Sequence, residues 1–138
     1  MRLSNKTLTQ MPADITPPKY DRNTFGVGIV HLGIGAFHRC HMAIYTDDVL
    51  ARFGGDWKIL GVSMRSNKIQ QQLNPQDGLY TVAVKDSFNT NERVIGSIAG
   101  VLYAPEESAH VINAIAKSST HIVSLTVTEK GYCHDPAT

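Results

Sequence analysis

The residues best suited to chemistry in this sequence lie between positions 31 and 41, in the stretch HLGIGAFHRCH. Gly33 and Gly35 directly follow an apolar run, an arrangement typical of a turn that cradles the phosphates of a dinucleotide. Gly33 can adopt the conformation of a tight turn, and Gly35 has no Cβ to hold a pyrophosphate away. The third small residue of that fingerprint is missing, because His38 takes its place. A glycine turn that binds nothing is the alternative interpretation.

A metal site is a second interpretation of the same stretch. His38 and His41 are three residues apart and would share a helix face, Cys40 lies between them, and Cys133 and His134 could add ligands. Zinc sites, however, need three or four converging ligands, usually with regular local spacing, and the sequence has neither Cys-x-x-Cys nor His-Glu-x-x-His. Cys40 is also expected on the apolar helix face, where a free cysteine behaves as a small hydrophobe. The spacing therefore argues against a metal.

The elements that must position the glycine turn alternate between strands and helices. The predicted order is strand, helix, strand, helix, hairpin, helix, strand. In numbers these are 27–32, 36 to about 53, 57–64, 66–75, the pair 78–86 and 92–103, 105–119 with Val111, Ile112 and Ile115 buried, and 121–128. This alternation predicts an α/β fold with a mainly parallel sheet and an inserted β-hairpin. The last strand is nearly all apolar, as expected of a central parallel strand.

Length and composition favour one globular domain. The chain has 138 residues, of which 42% are hydrophobic, and a net charge of +1, so nothing points to nucleic acid or to an anionic membrane surface. No apolar run reaches the length of a membrane span, and no signal peptide is apparent. Two distant cysteines make no disulfide framework, which favours a cytoplasmic location. Residues 1–24 are predicted to form an irregular arm, and the chain is expected to be truncated after residue 138.

Five segments of the sequence, taken together, resemble the mannitol dehydrogenase family of polyol-specific long-chain dehydrogenases. The two signature segments are IVHLGIGAFHRCH at 29–41 and IVSLTVTEKGYC at 122–133. YDR at 20–22, DGLYTV at 77–82 and ERVIGSI at 92–98 also fit, in the right order. The resemblance covers about residues 19 to 135. Each segment alone is weak, whereas the joint match is specific.

The resemblance implies a Rossmann-type NAD-binding domain, doubly wound, followed by a mostly helical C-terminal domain. It implies reversible hydride transfer between nicotinamide and a polyol or hexuronate, as in mannitol 2-dehydrogenase and the fructuronate and tagaturonate reductases, without a metal. Residues 25–138 would then be the N-terminal part of the NAD-binding domain. The family's catalytic lysine lies in the helical domain, so it is absent from this chain, and Lys130 is not its equivalent. The isolated chain is expected to be inactive.

The candidate site residues sit where the predicted strands end. Arg39 could pair with phosphate, and Arg65 stands where an NAD-binding fold normally carries an acid for the ribose, which leaves NADP open beside NAD. Glu129 is a candidate proton relay, with a loop acid that caps backbone N–H groups as the alternative. The predicted cofactor contacts are Gly33, Gly35, Ala36, Phe37, His38, Arg39, Arg65 and Thr126. The alternative function is a stand-alone dinucleotide-binding or regulatory module without catalysis.

Overall fold

The structure, a computed structural model, describes residues 2–127. In chain order these residues form the strands β1 (Ile15–Thr16), β2 (Val27–Leu32), β3 (Lys58–Ser63), β4 (Tyr80–Lys85), β5 (Thr90–Ile95), β6 (Ile98–Tyr103) and β7 (Ile122–Leu125). The helices are α1 (Ala36–Cys40), α2 (Met42–Phe53), α3 (Lys68–Leu73) and α4 (Ala104–Ala116), and 3-10 turns cover Asn5–Gln10 and Asn74–Gln76. Among these helices, none is both long and apolar enough to cross a membrane.

A four-stranded parallel sheet carries the fold, in the order β6-β3-β2-β7. The chain moves outward from β2 to β3 and β6, and then returns to place β7 on the other side of β2. That return creates a topological switch point between β2 and β7, where ligands of open α/β sheets bind beyond the carboxyl ends of the strands. The order confirms the predicted Rossmann-type fold.

Helices pack on both faces of the parallel sheet. Successive side chains of a strand point to opposite faces, so each strand contributes to a core on either side. Ile29 and Ala43 belong to the core on the face that holds α2, and the buried members of that core also include Ile34, Ile59, Leu73, Ile95, Ile98 and Val101. Val30 packs against α4 on the opposite face, with Val62, Val111 and Ala114. Helices on both faces make the sheet doubly wound, and they fix the turn that leaves β2.

A second, three-stranded sheet holds the inserted hairpin and the arm, in the order β1-β5-β4. β4 and β5 are antiparallel, as predicted, while β1 pairs with β5 in parallel. The prediction of a wholly irregular arm at 1–24 was therefore incomplete. The regular structure of the arm depends on residues that are distant in sequence. Arg22 donates hydrogen bonds to the carbonyls of Gly96, Asp77 and Ile98.

Two predicted elements are divided in the structure. The helix predicted from residue 36 to about 53 breaks at His41, whose Nδ1 lies 2.8 Å from the Phe37 carbonyl oxygen. The stretch 92–103, predicted as one hairpin strand, forms β5 in one sheet and β6 in the other. Gly96 and Ser97 make this junction by bonding to α2, through the Asp47 carboxylate and the Ala43 carbonyl.

Two burial predictions were also wrong. In α4, Val111 and Ala114 face the sheet, whereas Ile112 is 65% and Ile115 37% exposed. β7 pairs with β2 on one side, and because the described residues end at 127, its predicted central place in the sheet stays a prediction. The periodicity showed apolar positions but not which neighbour each one meets.

Candidate functional site

The glycine turn lies at the carboxyl end of β2, between β3 and β7. The N–H groups of Gly33 and Ile34 both donate to the Val62 carbonyl of β3, at 2.9 and 3.2 Å. On the other side the Thr126 N–H donates to the Leu32 carbonyl at 3.1 Å. Gly33 has φ of 96°, a left-handed conformation that favours glycine. The backbone therefore holds the turn at the switch point from both sides.

Gly35 is different, because the fold itself does not require a glycine there. Its φ is −77°, and a Cβ added to it would meet only the Gly33 carbonyl oxygen, at 3.9 Å. Gly35 is the N-cap of α1, so the N–H groups of Ala36, Phe37 and His38 have no acceptor within the helix. The arrangement leaves room and donors for an anionic group close to the backbone.

His38, the residue in place of the third glycine, faces the sheet. It is only 2% exposed, and its ring stacks on that of His31 in β2 with a centroid separation of 3.6 Å and an interplanar angle of 17°. Its Nε2 is buried and has no hydrogen-bond partner within the described part of the chain. Burial, with His31 and Arg39 nearby, lowers the pKa of His38 to about 4. The imidazole is therefore neutral at physiological pH.

His31 links this stack to β7. Its Nδ1 lies 2.9 Å from the Ser124 hydroxyl, its register partner, and its Nε2 lies 3.0 Å from the Thr126 hydroxyl. Burial lowers the pKa of His31 as well. His31 and Ser124 were missed as site residues, although a histidine inside an apolar strand is a polar group that burial obliges to find partners. A histidine within an apolar strand was therefore the sequence feature that could have indicated His31.

A cleft of about 550 Å³ opens beside the stack, between α1 and the end of β7. Phe37, 66% exposed, lies over its rim and stacks on His41 at 4.5 Å. Its lining is mostly apolar and also includes His31, His38, Met42, Tyr45, Leu125, Thr126 and Val127. An apolar cleft with a few polar groups at a switch point is the usual setting for a small-molecule or cofactor site.

The positions of the described residues do not support the metal interpretation. His38 is buried on the sheet, while His41 is exposed and contacts Phe37. Cys40 is exposed rather than on an apolar buried face, which corrects that expectation. Within residues 2–127, no three His, Cys, Asp or Glu side chains gather where they could hold a metal ion.

The two predicted arginines differ in their surroundings. Arg39 is half-buried beside the turn, and its carbonyl accepts a hydrogen bond of 2.6 Å from the Tyr80 hydroxyl. Arg65 is exposed beyond the end of β3. No described contact joins Arg65 to the glycine turn, so its role as a cofactor contact stays a prediction. Glu129 lies outside the described residues, as do Lys130, Cys133 and His134.

Comparison with known proteins identifies the architecture that carries this site. A family model described as the mannitol dehydrogenase Rossmann domain matches residues 27–138. A mannitol 2-dehydrogenase of Phaeosphaeria nodorum is 44% identical over 135 residues, which are 96% of this chain and 24% of that protein.

Solved structures agree with the family model. The Pseudomonas fluorescens mannitol 2-dehydrogenase, in a ternary complex with NAD and D-mannitol, is 41% identical, with a TM-score of 0.90 over 96% of this chain and 28% of its own. A D-sorbitol dehydrogenase is 33% identical, with a TM-score of 0.89 over 99% of this chain and 29% of its own. The chain thus spans about a quarter of the length of these relatives. From its fold, its glycine turn and this match, the chain belongs to the mannitol dehydrogenase family, with the sequence of that family's Rossmann domain.

Proposed function

We propose that this chain is the cofactor-binding part of an NAD-dependent oxidoreductase that interconverts a polyol and its ketose, or a hexuronate and its reduced form. The observation that carries the proposal is the open space at Gly35, where a Cβ would meet nothing nearer than 3.9 Å. A glycine that the fold does not need, at the switch point of a Rossmann sheet, is best explained by a ligand close to the backbone. The relative bound to NAD and D-mannitol supports this choice of ligand.

The residues of this chain would bind and orient the cofactor. The free N–H groups of Ala36, Phe37 and His38 would donate to the pyrophosphate, and the Arg39 guanidinium would add a charge-assisted contact. Thr126, which lies 3.6 Å from a Cβ built on Gly33, would border the cofactor on the β7 side. When bound, NAD supplies the hydride chemistry, and the protein contributes position and a route for the proton.

The cleft beside Phe37 would exclude water from the reacting groups. Its lining is mostly apolar, and its polar members are hydroxyls and imidazoles rather than carboxylates within the described residues. A mostly apolar surface suits hydride transfer, because water and stray charges compete with the reaction. The polyol or uronate itself would be bound mainly outside this chain, by a segment that corresponds to the part of the relatives that the chain does not span.

We also propose Glu129 as a proton relay at the rim of that site. It follows the end of β7 by four residues in sequence, and ligands of such sheets bind beyond the carboxyl ends of the strands. In the active chimaera described below, Glu129→Gln keeps the shape and removes the titrating group, so kcat should fall by about 10² to 10⁴ with a changed pH profile. A loss of NADH affinity or thermal stability with an unaltered pH profile would show instead that Glu129 is a structural cap.

Two experiments test the proposed function. In the first, the 138-residue chain is titrated with NADH by fluorescence, and saturable binding is expected. In the second, the chain replaces the matching segment of the Pseudomonas fluorescens enzyme, and oxidation of mannitol and mannonate is measured with NAD. The chimaera should be active and the isolated chain inactive. A folded chimaera that binds NADH but oxidises neither substrate would favour a binding module over an enzyme.

A further inference from the structure

The third position of the glycine fingerprint normally lets a helix lie close to its strand because no side chain intervenes. In this chain the side chain is present, and the close approach is kept by a different means. The His38 ring lies flat on the His31 ring, with centroids 3.6 Å apart and planes 17° from parallel. That separation is about the thickness of an aromatic ring, so the stack fills the space between α1 and β2 without forcing them far apart.

We propose that the stacked imidazoles of His31 and His38 hold the glycine turn at its distance from the sheet, and that they do so only while both rings are uncharged. His38 is thus a positioning residue for the cofactor site rather than a group that takes part in chemistry. The consequence for cofactor binding rests on the function proposed above, whereas the behaviour of the turn does not.

The lower ring of the stack is fixed independently of the upper one. His31 lies in the middle of β2, and the hydroxyls of Ser124 and Thr126 lie within 3.0 Å of its two ring nitrogens. Those two bonds orient the ring from β7, so His38 meets a surface that is already set. The stack therefore connects α1, β2 and β7, the elements that form the switch point.

No group around His38 could stabilise a positive charge on it. On its own helix it has Arg39 and His41, from β2 it has His31, and from α2 it has Tyr45 across the cleft. The β7 side offers only the Ser124 and Thr126 hydroxyls, which are already bonded to His31. Among the described residues no carboxylate lines the cleft. Protonation would leave a buried cation against a cationic or neutral neighbourhood, which is strongly unfavourable.

Acid should therefore open the turn rather than charge the closed stack. In the open form His38 meets water and takes up a proton near its ordinary pKa of about 6.5. Each pH unit below that value then favours the open form about tenfold, or about 30-fold at pH 5 relative to pH 7.5. Burial lowers the pKa of the closed form to about 4, so the whole range from pH 6.5 to 4 should show this release.

The test is amide hydrogen exchange of the 138-residue chain without cofactor, followed by mass spectrometry and corrected for the intrinsic effect of pH. Within peptides that cover residues 33–38, the amides of Gly33 and Ile34, which donate to the Val62 carbonyl, should open about 30-fold more at pH 5 than at pH 7.5. His38→Phe keeps a flat ring without a proton site, and its turn should stay closed at both pH values. His38→Ala removes the stack, and its turn should exchange rapidly at both. His110→Gln, an exposed change on α4, should behave as the native chain does.

Three results would overturn the proposal. The first is equal protection of the native turn at pH 5 and pH 7.5. The second is a His38→Ala turn as well protected as the native one. The third is an acid response of the turn in His38→Phe as large as that in the native chain, which would mean that groups other than His38 carry it. A parallel NADH titration separates the two proposals: turn exchange as expected, with no NADH binding by any variant, would reject the proposed function and leave the stack intact.

Discussion

Two regions of this molecule differ in how far their buried polar groups are hydrogen-bonded. Next to the arm, Arg22 makes bonds of 2.6 to 2.8 Å to three backbone carbonyls and to Asn5, so that each of its three side-chain nitrogens has a partner. Asp47 is equally well satisfied, by Tyr20, Arg93 and the Gly96 N–H. At the carboxyl end of the parallel sheet, by contrast, Gly35 leaves open space and His38 carries a buried nitrogen without a partner in the described chain.

This difference separates residues that hold the fold from residues that are available for binding. Buried polar groups are normally satisfied, and an exception calls for a reason such as strain, a ligand or a catalytic role. The satisfied region should therefore respond to substitution mainly in stability, and the region with unused groups mainly in binding. Four substitutions or conditions test that division, from the largest expected effect to the smallest.

Arg22→Met should lower the free energy of unfolding by about 3 to 4 kcal/mol. The substitution leaves buried carbonyl groups without the hydrogen bonds that the charged guanidinium donates to them. The side chain is only 6% exposed, and methionine cannot replace any of its bonds. Urea denaturation followed by circular dichroism measures the change. Arg52→Met is the matched control on the exposed surface of α2, and it should change stability by no more than about 0.5 kcal/mol.

The folded fraction of Arg22→Met should bind NADH as the native chain does, because the Arg22 side chain bonds to Asn5, Asp77, Gly96 and Ile98 rather than to the glycine turn. An affinity loss in a folded Arg22→Met chain would break the division between the two regions.

Gly35→Val should weaken NADH binding by about 100-fold or more, about 2.7 kcal/mol, because the branched side chain occupies the space left for the pyrophosphate. Stability should hardly change, since the φ of −77° suits any residue and an added Cβ meets nothing nearer than the Gly33 carbonyl oxygen at 3.9 Å. Gly100→Ala is the control, at a glycine whose added Cβ would meet nothing nearer than Asn74 at 3.7 Å. Unchanged affinity in folded Gly35→Val would reject the glycine turn as the cofactor site.

The sequence predicted the parts of the fold that depend on local pattern. The strand Val27–Leu32, the glycine turn, the hairpin and the helix after it all follow from periodicity and turn residues. The order in the arm could not be predicted, because Arg22 finds its partners more than 50 residues away. The stack was missed for the same reason: only folding brings the imidazole of α1 onto that of β2. The glycine spacing indicated where the site lies, whereas the residues that pack around the turn depend on tertiary contacts.

Acid should destabilise the chain through His38. Its pKa lies near 4 in the folded state and near 6.5 in the unfolded state, so the unfolded state binds more protons between those values and stability falls with pH. Between pH 7.5 and pH 5 the expected contribution is about 2 kcal/mol. His38→Phe should lose about 2 kcal/mol less than the native chain over that range, by urea denaturation at each pH. An identical acid loss in both would show that other groups carry it, including His31, whose pKa is also lowered.

The smallest effect concerns the choice between NAD and NADP, at the end of β3. An acid there would bond the ribose hydroxyls of NAD and repel the 2′-phosphate of NADP. This chain has Ser63, Met64, Arg65 and Ser66 instead, and the Ser63 hydroxyl is already bonded to the Ser66 carbonyl. NAD should still be preferred, but by less than about tenfold, or about 1.4 kcal/mol.

Replacing the exposed guanidinium by Arg65→Gln should widen the preference for NAD, because it removes the one charge of that segment that could pair with a 2′-phosphate. The matched control is Arg52→Gln, an equal change of charge on the exposed surface of α2. Titrations with NADH and NADPH at two salt concentrations measure the ratio, since a phosphate contact weakens with salt. A strong preference for NADPH in the native chain would mean that Arg65 outweighs the rest of the site. An unchanged ratio in Arg65→Gln would mean that Arg65 does not face the ribose.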